Sequence, residues 1–324
     1  MRVLVTGATG FIGKHLVPRL LQEGFSVRCL ARPDSHRPET YKNDVEWIIG
    51  NLTDPVSLEY ACRNIDLVIH LAGIIKSSNP DNFYQINTKG TENLLKAVRD
   101  GTKIIFISSQ AAVGPSKNRT PLSEHAPPNP VSAYGRSKLM AEQLFLQPDR
   151  PKDYTIIRPA IVYGPEDRES LALFRLAKNH LNPRIGFQKS IVNIVYIKDL
   201  VDFIMACIDN NLSTAEVFHI NDGNDAGYAQ NELILKAAEC LDSWTIPLYI
   251  PKVLLKMAIR LNASISGIRG KTSMLNPDKY NELATPGWVL SSQKAREILD
   301  YRPKYDIGSG FIMTINWYRE NGWL

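Results

Sequence analysis

The chain has 324 residues, of which 44% are hydrophobic and 22% charged, and its formal net charge is +5. These values are typical of a globular protein and exclude the collagen-like, disordered and membrane-spanning classes. The positive charge is spread along the chain without a long basic run, so we expect no nucleic-acid partner. Four widely spaced cysteines and the lack of a paired histidine motif predict no metal site. The apolar start is too short for a signal sequence, which favours a cytoplasmic protein.

Short β-branched segments alternate with amphipathic segments along the first half of the chain. This alternation is typical of successive βαβ units. It predicts an α/β fold with a doubly wound parallel sheet of the Rossmann type. The strands are predicted near residues 2–6, 26–31, 45–49, 66–71, 103–108 and 154–158. The helices between them are predicted over residues 11–23, 81–99 and 132–147.

The alternation loosens beyond residue 165. We therefore predict a dinucleotide-binding domain over residues 1–165 and a smaller mixed, mainly helical C-terminal substrate domain over residues 166–324, with segments near 191–220 able to return to the Rossmann core. Strands are predicted over residues 191–196 and 217–220. Helices are predicted over residues 197–209, 228–241, 295–299 and 311–321.

One apolar segment in the C-terminal part carries a basic face. Lys252, Lys256 and Arg260 are spaced four apart, so they share one side of a helix. This pattern fits a packed helix with a solvated face or a helix that lies on a membrane surface.

A glycine-rich turn, Thr6 to Gly13, follows the first predicted strand and opens the first helix. Gly7 permits the tight turn, Gly10 lets the backbone approach a pyrophosphate, and Gly13 allows close helix packing. The positive end of the helix then faces the phosphates. We therefore predict a nicotinamide dinucleotide cofactor held by Gly7, Thr9, Gly10, Phe11, Ile12 and Gly13.

The end of the second strand bears on the choice of cofactor. An NAD-preferring site usually places a carboxylate there, whereas this strand ends at Ala31 and is followed by Arg32. An arginine binds a 2′-phosphate through charge-assisted hydrogen bonds. Arg32 therefore favours NADP over NAD, the alternative being a solvated loop arginine.

Tyr134 and Lys138 lie four residues apart at the start of a predicted helix and so share one face. A lysine ammonium beside a phenol stabilises the phenolate, which suits a general acid or base. By itself this spacing is equally consistent with two exposed residues on a helix that have no catalytic role. Ser109, at the end of a buried strand, strengthens the case because its hydroxyl can hold a substrate oxygen. Ser108 is the less favoured of the two serines.

Together these motifs resemble the extended short-chain dehydrogenase/reductases, which include nucleotide-sugar epimerases and dehydratases and the dihydroflavonol reductase and 3β-hydroxysteroid dehydrogenase relatives. The matching segments are Thr6–Gly13, Gly50–Asp54, His70–Gly73, Asn87–Thr91, Ser108–Ser109, Tyr134–Lys138 and Arg158–Pro165.

The resemblance implies that Tyr134 is the acid/base, that Lys138 holds the nicotinamide ribose and that Ser109 orients the substrate oxygen. It also implies further cofactor contacts. Asn51 and Leu52 would border the adenine, although the family often has aspartate at the first position. Ala72 and Gly73 would pass beneath the cofactor and Asn87 would support it. The nicotinamide would be edged by Pro159, Ile161 and Val162.

Two departures concern the substrate. Nucleotide-sugar enzymes of this group often have asparagine where this chain has Ile161, and an arginine before the segment that ends at Asp199. The diphosphate clamp is therefore not evident, although other basic residues can supply one: Arg168, Arg175, Lys178 or Arg184. Asp199 is expected to order its helix rather than to touch substrate.

We therefore predict an NAD(P)-dependent oxidoreductase that transfers hydride to or from a carbonyl or alcohol of a small-molecule substrate with a substantial apolar portion. The first alternative is a nucleotide-sugar epimerase or dehydratase that uses the same three residues and tightly bound NAD. The second is a non-catalytic dinucleotide-sensing scaffold. The resemblance also implies a homodimer, paired through the helices over residues 81–99 and 132–147.

Overall fold

The computed structural model describes residues 1–147, 153–186, 190–209, 215–251, 253, 257, 281–282 and 285–324. The basic face predicted at Lys252, Lys256 and Arg260 lies outside these described residues. Two compact units are present. The first consists of Met1–Ala112, Ala133–Arg158 and Val201–Phe218, and the second of Val113–Ser132, Pro159–Leu200 and His219–Leu324. The predicted domain boundary at residue 165 stays a prediction.

The first half of the chain forms the strands that the alternating pattern predicts, with bounds within about one residue of those expected. Its helices include two short ones, over residues 55–61 and 110–113, that the pattern did not predict. The strands are β1 (Arg2–Thr6), β2 (Ser26–Ala31), β3 (Glu46–Ile49), β4 (Leu67–His70), β5 (Lys103–Ile107) and β6 (Tyr154–Pro159). The helices are α1 (Phe11–Gln22), α2 (Pro55–Ala61), α3 (Asp81–Phe83), a π-helix (Tyr84–Lys89), α4 (Gly90–Ala97), α5 (Gln110–Val113) and α6 (Ala133–Leu144).

The helix predicted over residues 81–99 differs from expectation. It contains the one-turn π-helix and ends at Ala97, because Val98 takes an extended backbone conformation. A π-helical turn inserts an extra residue and is frequent at functional sites. Here it carries Asn87, one of the residues predicted to support the cofactor.

The remaining elements are shorter. The strands are β7 (Ile161–Tyr163), β8 (Leu181–Ile185), β9 (Ile191–Val192), β10 (Ile194–Tyr196), β11 (Glu216–Ile220), β12 (Tyr228–Ala229) and β13 (Ile246–Ile250). The helices are α7 (Leu171–Lys178), α8 (Ile197–Asp209), α9 (Gln230–Cys240), α10 (Gln293–Leu299) and α11 (Ile307–Glu320). The single strand predicted over residues 191–196 is interrupted at Asn193, whose side-chain amide donates to the carbonyl oxygen of Asn224. Within the described residues, no helix is both long and apolar enough to cross a lipid bilayer.

A seven-stranded sheet in the order β11-β6-β5-β4-β1-β2-β3 confirms the predicted doubly wound α/β fold. The five pairings among β1 to β6 are all parallel. The chain winds outward from β1 to β3 and then crosses back to β4, so the strand order reverses between β1 and β4. Ligands of such sheets bind beyond the carboxyl ends of the strands at this switch point.

The core explains why these strands read as apolar runs. Alternate side chains of the central strands, among them Val68 and Phe106, pack in one cluster with Leu58 of α2, Leu94 of α4 and Ala141 of α6. All five side chains are fully buried. Helices cover the strands of a parallel sheet on both faces, and a strand buried in this way consists mostly of apolar residues.

Candidate active site

The glycine-rich turn lies at the switch point, between β1 and α1. Gly7 has φ of +76°, and a Cβ placed there would lie 2.7 Å from the backbone nitrogen of Ala72, which follows β4. A Cβ on Gly13 would lie 2.5 Å from the carbonyl oxygen of Ala8. Both distances are too short for any side chain, so the turn requires glycine at these positions. The result is a cradle of bare backbone.

The start of α1 suits an anion. The helix begins at Phe11, its N-cap is Gly10, no side chain caps it, and its first turn holds no acidic residue. Amide groups at the start of a helix attract phosphate through their partial positive charge. Thr9 and Ile12 are half-buried on either side of this start. These residues fit the pyrophosphate of a dinucleotide.

The residues after β2 and β3 lie in loops. Arg32 directly follows β2, and its side chain is 64% exposed, with Nε 3.7 Å from Oδ1 of Asp34. Asn51 follows β3, and its Oδ1 accepts hydrogen bonds from the backbone and hydroxyl of Thr53. Leu52 is buried, and its side chain occupies the space that a Cβ on Gly90 would need. Asn51 and Leu52 thus form a fixed turn, whereas Arg32 is exposed.

Asn87 ties the loop after β4 to α6. It is 1% exposed, its Oδ1 accepts from the backbone nitrogen of Ile74, and its Nδ2 donates to the carbonyl oxygen of Ile74 and to the hydroxyl of Ser137. A Cβ on Gly73 would approach Asn87 Oδ1 to 3.0 Å. Because protein groups accept both of these amide hydrogen bonds, the arrangement favours a supporting role for Asn87, as the resemblance implies.

The carboxyl end of β5 brings Ser109 and Lys138 together. Lys138 is buried, its Nζ donates to the carbonyl oxygen of Ile107 at 2.7 Å, and it lies 4.1 Å from the ring centre of Phe106. Ser109 follows Ile107 by two residues and its hydroxyl accepts from the backbone nitrogen of Ala111. The end of one strand therefore holds both side chains.

Tyr134 lies one helical turn before Lys138 on α6 and is half-buried. Its ring centre is 6.1 Å from that of Phe83 in α3. This packing and the four-residue spacing place the phenol and the ammonium on the same side of α6. The predicted pair therefore lies on a helix packed against the sheet, not on a solvent-exposed helix.

Electrostatics at this end of the sheet are set by burial. Burial lowers the pKa of Lys138 to about 7, and the carboxylate of Glu142, one turn further along α6, partly opposes the shift. Burial, and then the charge of Lys138, lower the pKa of His70 to about 3. The neutral His70 ring is hydrogen-bonded to the hydroxyls of Thr6 and Thr91, so His70 has a structural role at the end of β4.

The lowered pKa of Lys138 gives a stability prediction. The unfolded chain binds a proton at this lysine up to about pH 10.4, while the folded chain releases it near pH 7. The unfolded state therefore binds more protons between these values, and wild-type stability rises with pH across that window. Lys138→Met removes the burial penalty, so its stability relative to wild type is highest below pH 7 and declines towards pH 10.

Urea unfolding of both proteins at about pH 6 and about pH 9.5 measures this difference. Lys103→Met is the matched control, because half-buried Lys103 also donates to a backbone carbonyl, that of Cys207. A Lys138→Met difference in free energy of unfolding that stays constant across the window contradicts the assignment.

The structure also shows a buried ion pair that the sequence analysis missed. Glu142 binds Arg158 on β6, with Nη2 of the arginine 2.6 Å from Oε2, and both side chains are less than 8% exposed. The hydroxyl of Ser108 donates to the same carboxylate. Ser108 is thus engaged within the core, which supports Ser109 as the substrate-facing serine. No local pattern around Glu142 or Arg158 indicates that the two residues pair.

The three residues predicted to border the nicotinamide belong to the second unit. Pro159 ends β6 and is buried, whereas Ile161 is 48% exposed and Val162 half-buried in β7. This strand pairs in parallel with β10. Their contact with a cofactor remains a prediction.

Asp199 has a structural role that extends beyond its own helix. Its two carboxylate oxygens accept from the backbone nitrogens of Lys304 and Tyr305, so it fixes the loop before α11. The bonded segment lies about one hundred residues further along the chain, and the predicted ordering of its own helix stays a prediction.

Three of the four basic residues that were candidates for a diphosphate clamp contact aromatic residues. Arg168 lies over the ring of Trp323, and Arg175 donates to the backbone oxygen of that residue. Arg184 donates to the hydroxyl of Tyr249 and lies over its ring. These contacts anchor the three arginines within the second unit.

Comparisons with known proteins show which proteins this chain is similar to. A profile of the NAD dependent epimerase/dehydratase family matches residues 3–221. Ceramide reductase of Caulobacter vibrioides is 31% identical over 324 aligned positions, covering 99% of this chain and 96% of that protein. UDP-glucose 4-epimerase of Vibrio cholerae is 31% identical, covering 88% of this chain and 90% of that protein. The fold matches the crystal structure of UDP-glucose 4-epimerase from Thermotoga maritima with a TM-score of 0.78, at 24% identity and 99% coverage of each chain.

Proposed function

The chain belongs to the NAD dependent epimerase/dehydratase family, and from this membership we propose that it is an oxidoreductase acting on a carbonyl or alcohol of a substrate with a large apolar portion. The observation that carries the chemistry is Lys138, buried at the end of β5 one turn from Tyr134. Similarity to ceramide reductase over nearly the full length supports a lipid-like substrate.

In the proposed mechanism the protein binds and orients the substrate and transfers a proton to it. The nicotinamide cofactor supplies the hydride, or accepts it, when bound. The hydroxyl of Ser109 donates a hydrogen bond to the substrate oxygen and holds it against Tyr134. Tyr134 donates its phenolic proton to that oxygen during reduction. The Lys138 ammonium stabilises the phenolate that this transfer leaves behind.

Other segments at the carboxyl edge of the sheet would hold the cofactor. The turn from Gly7 to Gly13 would cradle its pyrophosphate, and the loops at Asn51–Leu52 and Ala72–Gly73 would border it. Each of these segments lies at the carboxyl end of β1, β3 or β4. That edge is where dinucleotides bind in doubly wound sheets.

NADP is the proposed preference because Arg32 follows β2 where a carboxylate would otherwise read the ribose. Arg32→Ala removes a charge-assisted hydrogen bond to the 2′-phosphate, so we expect NADPH binding to weaken about 10- to 100-fold while NADH binding changes little. Nicotinamide fluorescence titration measures both affinities. Arg37→Ala removes the same charge five residues away and serves as control. Equal weakening of NADPH and NADH contradicts the preference.

Epimerisation of a nucleotide sugar is the second candidate, favoured by the equal identity to the Vibrio cholerae enzyme. One assay separates the two. Purified protein is given NADPH with a ketone analogue of ceramide in detergent, and separately given UDP-glucose with NAD. Loss of NADPH with formation of the alcohol supports the oxidoreductase, while UDP-galactose formation supports the epimerase. If neither the alcohol nor UDP-galactose forms, the result favours a cofactor-sensing scaffold.

A further inference from the structure

A second polar side chain stands beside the serine assigned to the substrate oxygen. Gln110 immediately follows Ser109 and begins α5, at the carboxyl end of β5. It is 5% exposed. Its amide nitrogen Nε2 is buried and has no hydrogen-bond acceptor among the residues that the structure describes.

An unsatisfied buried donor is costly and rare. Removing an amide from water without a replacement acceptor destabilises a protein, and more than nine in ten buried polar groups are paired. The exceptions need a reason, and a ligand acceptor is one. Gln110 lies at the sheet edge where ligands of this fold bind, on the same tight turn as Ser109.

We propose that the Gln110 carboxamide donates a hydrogen bond to a neutral oxygen of the substrate, close to the carbonyl that reacts. This inference rests on the proposed function. Gln110 and Ser109 are consecutive residues at this edge, which suits two neighbouring oxygens of one molecule as their acceptors. A carboxamide carries no charge, and it therefore matches an amide carbonyl or hydroxyl oxygen better than a phosphate. An N-acyl amino ketone carries this pair of oxygens.

The test compares two ketones of equal chain length, one with the neighbouring amide and one without it. Wild-type protein is expected to prefer the amide ketone, with a KM about 10- to 100-fold lower, because a site built to bond a polar group rejects the analogue that lacks it. Gln110→Leu, which keeps the volume but has no donor, is expected to lose this discrimination. Its NADPH affinity should remain within about two-fold, and its thermal stability should be unchanged or higher.

Thr245→Val is the matched control. The Thr245 hydroxyl is also buried without a partner among the described residues, but it lies in the second unit. Its replacement should leave the KM ratio of the two ketones unchanged. Gln110→Met, a flexible side chain of similar length, replaces the leucine variant if that one does not fold.

The outcomes separate the two proposals. Discrimination retained by Gln110→Leu overturns the role of Gln110 while leaving the oxidoreductase in place. A fall in thermal stability with discrimination retained has the same meaning, because the amide then bonds within the fold through water. Failure of wild-type protein to reduce either ketone overturns the proposed function, and the inference with it.

Discussion

Tyr134→Phe is expected to lower kcat by about 100- to 10,000-fold, the usual contribution of a positioned general acid or base. The substitution removes one oxygen atom and keeps the ring that packs against Phe83. Fold and cofactor affinity should therefore survive. Steady-state kinetics with the ketone substrate and a fluorescence titration with NADPH measure the two quantities.

The control for this substitution is Tyr60→Phe, because Tyr60 lies on α2 and is 51% exposed. It should retain wild-type kcat. Wild-type kcat in Tyr134→Phe would contradict the acid/base assignment. A parallel loss of NADPH binding would instead assign Tyr134 to the cofactor alone.

Glu142→Ala is expected to lower the free energy of unfolding by about 3–5 kcal/mol, because it leaves the buried Arg158 guanidinium without its carboxylate. The Ser108 hydroxyl loses its acceptor at the same time. Urea denaturation measures the effect. Replacing both partners by methionine should restore most of the stability, since no buried charge remains.

Glu23→Ala is the control for the ion pair. Glu23 pairs with Arg19 on the surface of α1, where both side chains are more than 40% exposed. Such a pair contributes less than about 1 kcal/mol. If Glu142→Ala lowers the free energy of unfolding as little as Glu23→Ala does, the pair between Glu142 and Arg158 does not stabilise the packing of α6 on the sheet.

Local sequence patterns predicted the sheet and the glycine-rich turn. Most positions of the core strands are apolar, because a parallel sheet is covered on both faces. No other residue fits in place of Gly7 or Gly13, since a Cβ at either position would collide with backbone atoms. Tyr134 and Lys138 are visible because one helical turn fixes their relation.

Contacts between residues far apart in the chain could not be predicted from local sequence patterns. The bond between Glu142 and Arg158 joins α6 to β6, and nothing in either segment alone specifies the partner. Asp199 binds the backbone near Lys304, a pairing that only the folded chain creates. The unsatisfied amide of Gln110 is a property of its surroundings, so a glutamine in a sequence gives no sign of it.

The most direct test of the central claim follows the hydride itself. Wild-type protein is incubated with NADPH that carries deuterium at both C4 positions and with the ketone analogue of ceramide, and the alcohol is analysed by mass spectrometry. The proposed oxidoreductase predicts an alcohol one mass unit heavier, labelled at the former carbonyl carbon by one face of the cofactor. Absence of label in the product, together with epimerisation of UDP-glucose by the same preparation, would contradict it.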